Sequence, residues 1–93
     1  MSFLVEQTPR AENQLADLWL QADSAGRSAI TAAAHRITTA LARSNAPTLG
    51  VSSPIGQLPT ARRLDDPPLS AIYVVMATVG RVVILDYFAF GAP

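Results

Sequence analysis

Ala71-Ile72-Tyr73-Val74-Val75-Met76-Ala77, Thr78-Val79-Gly80 and Arg81-Val82-Val83-Ile84-Leu85-Asp86-Tyr87-Phe88 form the stretch whose reading decides the fold. Both flanks are dominated by β-branched and aromatic residues, which suit a pleated, half-buried surface. The three-residue break ends in glycine, which fits the left-handed position of a three-residue hairpin loop. Strict alternation places Ile72, Val74 and Met76 on one face and Ala71, Tyr73 and Val75 on the other. On the second strand Val82, Ile84 and Phe88 then oppose Val83, Leu85 and Tyr87. Both faces of this hairpin are apolar.

Upstream, Ala61 to Leu64 predicts a third strand, and Asp65-Asp66-Pro67-Pro68 a turn. Asn45 to Pro59 holds Pro47, Gly50, Ser52, Ser53, Pro54, Gly56 and Pro59, which is loop composition. Before it, Ile30, Ala33, Ala34, Ile37 and Leu41 recur at helical spacing within a helix predicted over 25–43. A first helix carries Ala11, Leu15, Leu18, Trp19 and Ala22 on one stripe. Thr8 suits its cap and Pro9 its first position, where a missing N–H costs nothing. Asp23-Ser24-Ala25-Gly26 breaks the stripe and supplies the second cap. Phe3 to Glu6 predicts a short opening strand.

The expected architecture is one α+β domain over residues 1–93. It has an N-terminal strand, a two-helix hairpin and three antiparallel strands, with the helices on one face of the sheet. Two helices cover one face of a sheet this size and leave the other open. An open apolar face predicts a protein partner or self-association as a homodimer.

Composition narrows the function. The chain is 49% hydrophobic and 15% charged, which excludes a disordered tail. Seven basic residues balance seven acidic ones, against a nucleic-acid binder that works through bulk charge. All seven basic residues are arginine, which fits either a GC-rich coding bias or selection for bidentate phosphate binding. No cysteine is present, so thiolate chemistry and disulfides are excluded. The N-terminal residues lack a basic, apolar leader pattern, and Ala71 to Leu85 is too short and too interrupted for a membrane helix. These features predict a soluble, cytoplasmic protein with no membrane partner.

Little in the chain carries chemistry by itself. One histidine, His35, stands opposite the apolar stripe of its helix, and scattered carboxylates give no metal-ligand spacing. No metal and no cofactor is expected. Ser52-Ser53 lacks a nucleophile elbow, and no phosphate loop or dinucleotide fingerprint occurs. Arg62 and Arg63 are adjacent in a strand, so their side chains leave on opposite faces, one of them onto the open one. Arg81 opens the last strand, and Tyr73 and Tyr87 bring hydroxyls to the same sheet. An arginine beside a phosphate and a tyrosine acting on a hydroxyl would suit metal-free RNA cleavage. The alternative is that the tyrosines are core residues and the arginines rim charges.

The order of elements resembles the RelE/ParE superfamily of type II toxins. The resemblance is closest over Arg62-Arg63-Leu64-Asp65-Asp66-Pro67-Pro68-Leu69-Ser70-Ala71-Ile72-Tyr73-Val74-Val75, with Arg81-Val82-Val83-Ile84-Leu85 similar to the strand that follows. Thr8-Pro9-Arg10-Ala11-Glu12, leading into Leu15 and Trp19, is similar to the family's first strand and helix. The resemblance implies a toxin neutralised by a cognate antitoxin. It implies either ribosome-dependent mRNA cleavage or inhibition of DNA gyrase. Arg63, Arg81, Tyr73 and Tyr87 are the candidate catalytic residues under the first alternative. The chain departs from the RNA-cleaving pattern at Gly50-Val51-Ser52-Ser53, at Ser70 and in its non-basic end, Phe88 to Pro93. The leading expectation is a toxin that cleaves ribosome-bound mRNA without metal. The alternative, favoured by the neutral charge and the missing charged pair after Gly50, is a non-catalytic binding protein on the same scaffold, either a gyrase-inhibitor type or a degenerate homologue.

Overall fold

The computed structural model describes residues 2–43, 46–53 and 60–91. Nine elements follow in chain order: β1 (Leu4–Gln7), α1 (Pro9–Gln21), α2 (Ser24–Leu41), α3 (Ala46–Leu49), β2 (Val51–Ser52), β3 (Arg62–Asp66), β4 (Leu69–Met76), a 3-10 turn (Ala77–Val79) and β5 (Arg81–Ala89). The strands form one mixed sheet in the order β1-β5-β4-β3-β2. β1 runs parallel to β5, and every other pairing is antiparallel. No described helix is long and apolar enough to cross a membrane.

The caps follow the local chemistry. Thr8 is the cap of α1, its hydroxyl accepting from the Ala11 N–H at 3.1 Å, with Pro9 in the first turn. Asp23 caps α2 by accepting from the Gly26 N–H at 2.7 Å. The hairpin closes with Gly80 at φ 66°, in the left-handed region where a Cβ is penalised. Ala77–Val79 forms the turn itself, so the strand ends one residue earlier than alternation suggests.

One face of the sheet is sealed by the helices. Leu69, Ala71 and Tyr73 of β4 and Val82, Ile84 and Tyr87 of β5 share a core with Ala11, Ile30, Ala33, Ile37 and Leu41. The predicted inner face of α2 is therefore the observed one. Trp19 is not in that core: it is 40% exposed, and the Arg27 guanidinium lies 4.5 Å from its ring centroid. Leu15, Leu18 and Ala22 of the predicted stripe do pack against the core, on either side of Trp19 in sequence, so Trp19 lies at the edge of the stripe, against Arg27 of α2.

Three local expectations change. Asp65 and Asp66 belong to β3, leaving Pro67-Pro68 alone as the connection. The region 45–59 includes the short α3 and the edge strand β2, and residues 54–59 of the expected loop lie outside the described residues. A bulge between Ile72 and Tyr73 leaves Leu85 without a partner on β4. One extra residue inverts the alternation beyond it. Tyr87 thus joins Val82 and Ile84 on the covered face, and Phe88 turns to the other.

Candidate functional site: the open face of the sheet

The register defines the uncovered face. Arg63 and Asp65 of β3 stand opposite Ile72 and Ser70 of β4. Val74 and Met76 of β4 stand opposite Val83 and Arg81 of β5. On the edge, Leu4 and Glu6 of β1 neighbour Arg81 and Val83. None of Ile72, Val74, Val83 or Phe88 touches the helix-side core. Ile72 is nevertheless buried, flanked by Arg63 and Asp86 in the adjacent strands. The accessible centre of the face is therefore the half-buried Val74 and Val83 with Met76, which is 47% exposed. The face is apolar in the middle and charged at two corners.

Those corners are occupied by the two candidate arginines. The Arg63 Nε lies 3.2 Å from Asp65 Oδ1, and Asp65 also accepts from the Ser70 hydroxyl at 2.6 Å. Arg81 Nη1 lies 3.5 Å from Glu6 Oε1. Arg63 is registered with Ile72 and Arg81 with Met76, four residues along β4 and on opposite sides of it. At about 3.3 Å per residue and about 4.8 Å per strand, their backbones are about 16 Å apart. In the folded chain the two guanidinium groups are turned to different carboxylates, Arg63 to Asp65 and Arg81 to Glu6, and do not converge. Each guanidinium is also already opposed by a carboxylate of the chain.

The candidate tyrosines lie on the other face. Tyr73 is fully buried; its hydroxyl donates to the Ala46 carbonyl at 3.1 Å and accepts from the Gly50 N–H at 3.0 Å. Tyr87 is also buried, with the Gln7 amide donating to its hydroxyl at 3.2 Å. Burial pushes the Tyr87 phenol above its ordinary pKa, and a hydrogen bond with Thr38 opposes that rise. The sheet itself separates both hydroxyls from Arg63 and Arg81. The structure thus brings the four candidate residues onto one sheet but not into one site.

His35 is exposed on α2, as its place opposite the apolar stripe predicts. Among the described residues no group of three or more His, Cys, Asp or Glu side chains gathers where an ion could be held. The other ion pairs tie elements together. Arg36 reaches from α2 to Asp66 of β3, with Nη2 to Oδ1 at 2.8 Å. That hydrogen-bonded guanidinium holds the Asp66 carboxyl below its ordinary pKa, against a smaller contribution from burial. Arg10 and Gln14 of α1 both contact Asp86, each at 3.0 Å, beside the bulge.

A second apolar surface lies on the helices. A cleft of about 550 Å³ opens between α1 and α2 and is lined by Leu15, Trp19, Leu20 and Ile30 among others. The sequence signal for it is the adjacent pair Trp19-Leu20: a helix buried on one stripe has no use for two large apolar residues side by side.

The sequence matches no family model and no curated protein. Solved structures do match. The RelBE2 toxin–antitoxin complex from Mycobacterium tuberculosis contains a chain similar to this one at TM-score 0.75 and 16% identity, over 99% of this chain and 95% of that one. The chromosomal ParDE toxin–antitoxin system from P. aeruginosa matches at TM-score 0.70 and 18% identity, over 94% of this chain and 95% of that one. Near-complete coverage of both partners in each comparison establishes the architecture: this chain carries the RelE/ParE fold.

Proposed function

We propose that the chain is the toxin-fold member of a toxin–antitoxin pair and that it acts by binding protein rather than by cutting RNA. The carrying observation is the composition of the open face, an aliphatic strip of Val74, Val83 and Met76 between two self-neutralised arginines. Such a strip suits the apolar stripe of an amphipathic polypeptide segment, recognised by shape and apolar burial. The similar solved chains come from toxin–antitoxin complexes, which supports a cognate antitoxin as the first occupant. A second protein target, of the kind gyrase inhibitors bind, would compete for the same strip.

Several observations weigh against cleavage of ribosome-bound mRNA. A ribonuclease needs positive charge and an acid or base converging on one phosphodiester. Here Arg63 and Arg81 each face a different carboxylate of the chain, while Tyr73 and Tyr87 face the core. Net charge is zero, so the field that draws RNA is missing as well.

Expression of the chain alone tests the reading. Growth arrest is expected, with relief on co-expression of a cognate antitoxin. Arrest should persist in the double variant Arg63→Ala/Arg81→Ala, and translated mRNA should stay intact. Cleaved mRNA together with loss of arrest in that variant would reinstate the ribonuclease and remove the binding protein.

A further inference from the structure

The row of side chains on the covered face that runs through Ser52, Arg62 and Tyr73 ends in a small cleft, away from the open face. We infer that this cleft is a phosphate-binding site built on Arg62, whose ligand is the free anion or a small phosphomonoester.

The first ground is an uncompensated charge. Arg10, Arg36, Arg63 and Arg81 are each paired with a carboxylate, Arg27 lies over the Trp19 ring and donates to the Trp19 and Leu20 carbonyls, and Arg43 is exposed. Arg62 has no carboxylate partner among the described residues, although its side chain is half-buried. A guanidinium carries five N–H donors and no acceptor. Here Nη2 donates to the Gly50 carbonyl and Nε is sealed from solvent with no acceptor among the described residues, so the terminal Nη groups are the ones left to meet a ligand. Withdrawing a cation from water without an opposing charge is unfavourable, and an anion beside it offsets that cost.

The second ground is the lining. The cleft measures about 320 Å³ and is bounded by Arg62, Ser52, Thr60, Pro47, Val75 and Ala77. Its polar lining residues are Arg62, Ser52 and Thr60, and no acidic residue lines it among the described residues. Three separate donor groups match the three terminal oxygens of a phosphoryl group better than the two of a carboxylate, and arginine's planar fork favours that geometry. Pro47, Val75 and Ala77 give an apolar wall for the carbon part of an ester. The volume sits at the small end of ligand pockets, which excludes a folded partner. The anchoring is rigid, because Gly50, which receives the Arg62 bond, is itself tied by its N–H to the Tyr73 hydroxyl.

The test uses the intact chain, with inorganic phosphate, adenosine 5′-monophosphate and acetate as probes at constant ionic strength. Binding is read from the Arg62 side-chain Nε–H resonance and from the thermal midpoint. Saturable shifts are expected with both phosphates and not with acetate. Tighter binding of the nucleotide assigns the ester as the source, and equal or weaker binding assigns the free anion. Arg62→Gln should raise the dissociation constant at least about tenfold, the equivalent of one lost charged hydrogen bond. Should Arg62→Gln fail to fold, Thr60→Val and Ser52→Ala at the exposed rim carry the test. Both should weaken phosphate binding while leaving the ligand-free midpoint unchanged. Failure of both phosphates to saturate, acetate binding as well as phosphate, or undiminished binding in these variants would each overturn the site and leave Arg62 as a strap for Gly50.

Discussion

The Tyr73 hydroxyl donates to the Ala46 carbonyl at 3.1 Å across 27 residues of sequence, and so ties the central strand to the short helix α3. The same oxygen accepts from the Gly50 N–H at 3.0 Å. One phenol thereby satisfies an acceptor at the start of the one-turn helix α3 and a donor just past its end. Its role is to seat residues 46–50 against the sheet. Tyr73→Phe should therefore cost about 1–3 kcal/mol, because it leaves both backbone groups without a partner. Urea denaturation measures that loss, and partner binding on the opposite face should be unaffected.

Gly50 lies so close to β3 that a Cβ there would run into the Arg63 backbone carbonyl and lie 2.9 Å from the Tyr73 hydroxyl. Backbone on one side and a buried phenol on the other leave no flexible group to give way. Gly50→Ala should destabilise the fold by about 3 kcal/mol, at the upper end of overpacking costs. Thermal unfolding of the variant checks it. A midpoint equal to the parent's would show that residues 46–50 are seated differently.

The Arg36–Asp66 pair makes stability depend on pH in a defined direction. Its hydrogen bond lowers the Asp66 pKa in the folded state. A carboxyl lowered in this way contributes stability above its unfolded pKa, about 3.9, and loses it as pH falls through the folded value. Asp66→Asn should lower the midpoint at neutral pH and converge with the parent at strongly acidic pH. A difference that persists unchanged at low pH would assign the loss to packing. The buried Tyr87 phenol acts at the other end of the scale. Its raised pKa contributes stability below the ordinary tyrosine value, about 10, which is lost as pH rises through the folded value.

How much of this was legible in the sequence depends on the range of the forces involved. Helix starts at Thr8-Pro9 and Asp23, the left-handed Gly80 and the inner face of α2 follow from local chemistry, and they were readable. Trp19 misleads because helical spacing groups it with Leu15, Leu18 and Ala22, which reach the core, but does not show which residue at the edge of the stripe stays exposed. Tyr87 misleads because the bulge at Leu85 inserts one residue, and a period of two has no memory of such an insertion. The splitting of Arg62 and Arg63 onto opposite faces was legible from strand geometry alone. Their partners were not: Asp65 is two residues away along a strand, while Arg62 reaches back to Gly50, a contact that only the folded chain creates.

The central claim is that a partner polypeptide occupies the strip formed by Val74, Val83 and Met76, and one affinity measurement tests it most directly. Val74→Glu and Met76→Glu place a carboxylate on the strip, the second of them beside Arg81, without reaching the helix-side core. Both variants should fold with the parent's circular dichroism. Binding of the cognate antitoxin should fall at least about 100-fold, as charge placed at the centre of an apolar interface requires. Parental affinity in both variants would mean that the partner sits elsewhere, and the account would be wrong.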